Sequence, residues 1–312
     1  MKPVKDSSAH IKDVDALVRG MYESGGFSAK NLAVGVDILE KMEKEDCRRF
    51  LSFPACIIST GTRGIIKELV KETLFDAVIT TCGTLDHDLA RLWKDYYHGD
   101  FALDDRDLHR KGINRLGNIL IPNECYGEVL EKKLQPMIER IYEDKKELSG
   151  YELIWKIGEM LEKEKKKDES ITYWCYKNRI PMIVPGIFDG AFGSQLWLFW
   201  QQHRDFKLNL FLDEQKMADE VFDTKNKAGA LMIGGGISKH HTIWWNQFRG
   251  GLDYAVYITT ATQYDGSLSG ARLQEAISWG KIKEDANQVT IDADATIALP
   301  VMAAALFERL RK

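Results

Sequence analysis

Strand-like and helix-like segments alternate along almost the whole chain, and this alternation constrains the fold more than any other feature. Leu32, Ile38, Leu39 and Met42 recur at helical spacing behind Ser28, a residue type suited to a helix N-cap. A strand-like run over 49–58 precedes a helical pattern over 63–71. DAVITT (76–81) reads as a buried strand ending at the small-residue turn Cys82-Gly83. NILIP (118–122), PMIVPG (181–186), ALMIGG (230–235), DYAVYIT (253–259) and QVTID (288–292) are further strand candidates. Helices are expected over 129–147, 151–167, 239–248, 272–279 and 298–311. Strands separated by helices predict an α/β fold with a doubly wound, mostly parallel sheet. A helical extension over 1–45 precedes the expected sheet domain, 46–312.

The 312 residues are 44% hydrophobic and 29% charged, enough apolar surface for a packed core. Forty-three basic against 47 acidic residues give a net charge of -4, which excludes a bulk basic nucleic-acid binder. No apolar run is long enough for a transmembrane helix. The start, MKPVKDSSAHIKDVD, lacks the apolar core of a signal peptide, so a cytoplasmic protein without membrane contact is expected. Cys47, Cys56, Cys82, Cys125 and Cys175 form no CxxC pair, so neither disulfides nor a metal site is expected. KEKKKDE (163–169) reads as a solvated helix end.

In such a fold ligands bind beyond the carboxyl ends of the strands. The residues there are small: Thr81-Cys82-Gly83, Gly234-Gly235-Gly236 and Thr259-Thr260-Ala261, with acids at Asp189 and Asp294. Small residues let backbone amides approach a phosphate, and the acids suit ribose hydroxyls. Two readings stand, a nucleotide cofactor site and ordinary tight turns; no GxGxxG fingerprint decides between them. In 264–282, Glu275 and Trp279 are four residues apart, one helical face that suits an organic cation. Lys281 follows closely. Its amine is either a nucleophile favoured by apolar company or a surface charge paired with an acid. His240 opens a helix and either accepts a proton or packs as a cap.

Together, YDGSLSGA (264–271) before ISWGKI (277–282), GGGISKHH (234–241), DYAVYITTA (253–261) and KGINRLGN (111–118) resemble deoxyhypusine synthase, in order from about Phe50 to Leu310. The resemblance implies a Rossmann-like catalytic domain, usually in a homotetramer with active sites shared across a dimer interface. It implies NAD as cofactor and spermidine or a related polyamine as donor. The family oxidises spermidine beside its secondary amine, releases 1,3-diaminopropane and holds the four-carbon unit on a lysine. That unit passes to a lysine of initiation factor five-A. Lys281 matches the imine-forming lysine and His240 the histidine beside the amine. Glu275, Trp279, Tyr257, Gly266 and Ser267 match the polyamine pocket. Asp189, Gly235, Thr260, Ala261, Asp294 and Ala295 match cofactor contacts, and Thr81, Cys82 and Gly83 occupy a cofactor turn. Ser59 lies in another cofactor loop.

The chain also departs from the pattern. Ser194 and Leu268 stand where acids are usual, Trp244 stands where asparagine is usual, and Asp86-His87 replaces a Glu-Glu pair. Three functions follow: deoxyhypusine synthesis, aminobutyl transfer to a free diamine as in homospermidine synthesis, and a non-catalytic subunit regulating an active paralogue. Label in a protein rather than a small amine separates the first two; retention of Lys281 speaks against the third.

Overall fold

The computed structural model describes residues 1–222 and 227–311. Residues 223–226 and 312, which fall inside the expected 46–312 domain, lie outside the described residues. The chain divides into two compact units. The first comprises Met1–Phe53, Leu74–Ile79 and Met217–Lys312; the second comprises Pro54–Thr73 and Thr80–Lys216.

Helices α1 (Val14–Ser24) and α2 (Phe27–Lys44) open the first unit. Asp13 caps α1 by accepting from Ala16 N at 2.7 Å, and Gly25 ends it at φ 66°. Gly26, not Ser28, is the N-cap of α2; Ser28 lies within the first turn. The strands are β1 (Arg48–Ser52), β2 (Ala77–Ile79), β3 (Ala228–Ile233), β4 (Leu252–Thr259) and β5 (Ile282–Asp292). They lie in the order β5-β4-β3-β1-β2, all parallel. Phe50 of β1 stands opposite both Ala77 and Ala230, and Val256 of β4 opposite Leu231 and Val289. Helices α3 (Ile237–Gln247), α4 (Leu273–Ile277) and α5 (Ala295–Leu310) follow β3, β4 and β5 in the unit. Phe50, Val78, Val256 and Ile291 are wholly buried; β2, β3 and β4 are buried at nearly every position, whereas the edge strand β5 is largely half-buried or exposed. A Cβ on Gly35 would come 2.9 Å from Ile291, and its absence lets α2 lie close to the sheet.

The expected strand 49–58 is shorter than its apolar run. It ends at Ser52, and residues Ala55–Ser59 form a 3-10 helix behind Pro54, which has no N–H to continue a ladder. The second unit is mainly helical. Its helices include Thr62–Lys71, Gly83–Trp93, Gly127–Asp144, Gly150–Met160, Ile171–Lys177 and Ala191–Gln202. NILIP does not join a parallel sheet. Ile119–Pro122 pairs antiparallel with Ile113–Leu116 across a Gly117-Asn118 turn, where Gly117 takes φ 62°. Fully buried Asp88 ties this unit together: it accepts from Arg63 Nε at 2.8 Å, Ser170 Oγ at 2.8 Å and the amides of Ile171 and Thr172. In KEKKKDE, Lys163 closes the 3-10 turn Leu161–Lys163 that follows the helix Gly150–Met160, and Lys167–Glu169 forms a second 3-10 turn.

Candidate active site

β3 leads through Gly234-Gly235-Gly236 into α3, with Gly234 at φ 64° and Gly236 at φ 78°. A Cβ on Gly235 would fall 2.3 Å from the Cα of Ser269, so the 264–272 segment folds tightly back over this turn. Hydroxyls on β4 hold it there: Tyr257 Oη and Thr259 Oγ1 both donate to the Ser269 carbonyl, at 2.7 and 3.0 Å. The segment then enters α4, which ends near Gly280 at φ 67° and delivers Lys281 to the start of β5.

Lys281 is 8% exposed, and its Nζ lies 5.1 Å from the Trp279 ring centroid and 5.6 Å from that of Trp244. It lines a cavity of about 250 Å³ with Lys239, His240, Trp244, Glu275 and Trp279, next to Leu268. His240 stacks on Trp244 at 5.7 Å between centroids. Burial, then the charge of Lys281, lowers the pKa of His240, which favours the neutral imidazole that accepts a proton. Burial also draws Lys239 down to about 8, with Arg272 and Lys281 pushing the same way and Glu275 opposing.

Lys281, His240, Glu275 and Trp279 therefore meet at one cavity. Tyr257, Gly266 and Ser267 do not line it: Tyr257 is wholly buried in β4, and the other two lie in the exposed part of the loop. Trp244 and Leu268, noticed in the sequence only as departures, do line it. The sequence pattern does not single out Lys239; its local signal is its place beside His240 in the first turn of α3.

The remaining sites lie at chain turns of each unit. In the first, Ala261 N donates to Thr259 Oγ1, and Ala293 N donates to the Thr259 carbonyl, joining the ends of β4 and β5. Thr260 is exposed; Asp294 caps α5 through Oδ1, accepting from Thr296 N at 2.9 Å, with Ala295 as the first helical residue. Among the described residues no side chain caps α3, so its start fits an anionic group such as a dinucleotide phosphate, while Gly235 itself is covered by Ser269. In the second unit, Ser59 Oγ donates to the Cys56 carbonyl, and Thr81 Oγ1 accepts from Ala55 N. Gly83 opens its helix so close to Ala55 that a Cβ would stand 2.9 Å away. Burial pushes the Cys82 thiol up to about 12, which keeps it protonated. Asp189 is exposed in the turn before Ala191–Gln202. Asp86 is occupied: it accepts from Tyr126 Oη and from the amides of Ala191 and Phe192. Among the described residues there is no group of three or more His, Cys, Asp or Glu that could hold a metal ion. Nor is any described helix long and apolar enough to cross a membrane.

The family profile described as "Deoxyhypusine synthase" matches residues 16–306. A probable deoxyhypusine synthase of Picrophilus torridus is 56% identical over 304 residues, covering 97% of this chain and 96% of that protein. Its counterpart in Ignicoccus hospitalis is 44% identical over 317 residues, covering 100% and 97%. A putative deoxyhypusine synthase from Entamoeba histolytica, solved by crystallography, is 20% identical with a TM-score of 0.65, covering 98% of this chain and 96% of that one; it shares the fold.

Proposed function

Because this chain belongs to the deoxyhypusine synthase family of NAD-dependent transferases, we propose that it moves the aminobutyl group of spermidine to one lysine of initiation factor five-A. The observation that carries this reading is the convergence of Lys281, His240, Glu275 and Trp279 on one 250 Å³ cavity. Bound NAD would supply hydride acceptance at the carbon beside the secondary amine, and its return to the product. His240 accepts the proton that the secondary amine releases. Lys281 then adds through Nζ to the electrophilic carbon, and 1,3-diaminopropane leaves with the C–N bonding pair and a proton. The four-carbon unit stays on Nζ through a C=N bond until the acceptor lysine displaces it. Glu275 holds an ammonium end of the donor, and the faces of Trp279 and Trp244 flank the cationic chain.

The proposed cofactor contacts are Gly235, Thr260, Ala261, Asp294 and Ala295 in the first unit, and Ser59, Thr81, Cys82, Gly83 and Asp189 in the second. Tyr257, Gly266 and Ser267 complete the proposed amine site as supports of its loop. The machinery falls within 46–312, acts as a homotetramer, and works in the cytoplasm with its translation-factor substrate. The test is incubation with NAD and spermidine labelled in the aminobutyl part, with and without initiation factor five-A. Label in the factor is expected. Label in homospermidine, formed with putrescine, would redirect the reading to a free-diamine acceptor. Full turnover without a nicotinamide cofactor would defeat it.

A further inference from the structure

We infer that Lys239 is the positioning residue that holds the 268–271 segment as a wall of the Lys281 cavity, an inference that rests on reading this cavity as the amine site. Lys239 is 3% exposed on α3. Its Nζ donates to the Leu268 carbonyl at 3.1 Å and the Ala271 carbonyl at 2.7 Å. It also lies 3.8 Å from the centroid of the Tyr257 ring. With the hydroxyls of Tyr257 and Thr259 on Ser269, side chains claim three of the four carbonyls in the segment. Leu268 and Ala271 line the cavity, so these bonds set its shape.

An ammonium is a costly way to fill space. An unbranched apolar side chain would occupy the same room without desolvating a charge. Burial depresses the pKa of Lys239, which marks that cost. What methionine could not supply is the pair of charge-assisted hydrogen bonds to the loop. Without them the amine would have to order its own binding wall, and the loss would fall on its affinity rather than on the chemistry at Lys281.

The experiment compares the full-length protein with Lys239→Met. The amides of 262–273 are expected to exchange about tenfold faster in the unliganded variant. The amine KM should rise about tenfold with kcat changed less than threefold, NAD affinity kept, and the thermal midpoint unchanged or raised. Tyr257→Phe, which removes one hydroxyl from Ser269, should shift exchange and KM in the same direction by less. Unchanged exchange and KM in Lys239→Met would overturn the inference. So would a fall in thermal midpoint, NAD affinity and kcat together, the pattern of a merely structural lysine. Exchange is read without substrate, so a wild type that turns over no amine would count against the reaction while leaving the clamp separately decided.

Discussion

Two lysines share one cavity but have different surroundings. Lys281 is flanked by indoles, whereas Lys239 is anchored by carbonyls, which supports Lys281 as the proposed covalent lysine. Borohydride added during turnover is expected to fix a four-carbon amine on Lys281, found by peptide mass spectrometry. Lys281→Arg should show none, because a guanidinium stays protonated and forms no imine. Label on another lysine would refute the assignment. Leu268 supplies no charge to a cationic donor, and among the described residues that line the cavity Glu275 is the one carboxylate against Lys239, Arg272 and Lys281. Leu268→Asp is therefore expected to lower the spermidine KM about fivefold or more, in line with about 1–3 kcal/mol for a charged hydrogen bond. An unchanged KM would mean that position 268 does not face the amine. At this scale the sequence was legible where partners are local: the four-residue spacing of Glu275 and Trp279 put both at the cavity. It was silent on Lys239, whose burial depends on carbonyls about thirty residues downstream.

Single residues at element ends give separable predictions. Asp294 both caps α5 and is a proposed cofactor contact. Asparagine caps as well as aspartate, whereas alanine costs about 1 kcal/mol. Asp294→Asn should therefore keep the thermal midpoint while weakening NAD binding about tenfold by titration calorimetry; retained affinity would remove Asp294 from the site. His87, in the helix Gly83–Trp93, is held by burial and then by the nearby Arg91 charge at about 4, from an ordinary 6.5. Its native form stays neutral while the unfolded form takes a proton. Its contribution is thus complete above pH 6.5 and is lost as pH falls toward 4, on the order of 3 kcal/mol in all. Buried Asp213, raised to about 6, acts oppositely over part of that range, so the His87 effect must be read as a difference. Urea denaturation at pH 6.5 and 4.5 should show a larger loss for wild type than for His87→Asn; equal losses would contradict the buried neutral imidazole. Element types followed from periodicity, but ends did not. Pro54 cut the first strand short, and the Gly117-Asn118 turn diverted NILIP into a hairpin because backbone geometry outweighed apolar content.

For the whole molecule, light scattering is expected to return four chains per particle; a monomer at working concentration would exclude the proposed homotetramer. The parallel sheet was readable because strands buried on both faces need apolar residues at nearly every position. The division into two units was not, because it depends on which distant segments pair. The first unit is discontinuous: the 5-residue strand β1 is paired with β3 through Phe50 and Ala230, some 180 positions apart. On the ribosome, this has a consequence for timing. When residue 216 has been added, all of the second unit has been made, while β1 still lacks β3 and the apolar face of α2 lacks α5. For the remaining third of synthesis, at roughly 5–20 residues per second, the N-terminal strand is an open edge in a growing chain. During that interval the unpaired β1 edge is open to pairing with other chains, whatever the stability of the finished protein.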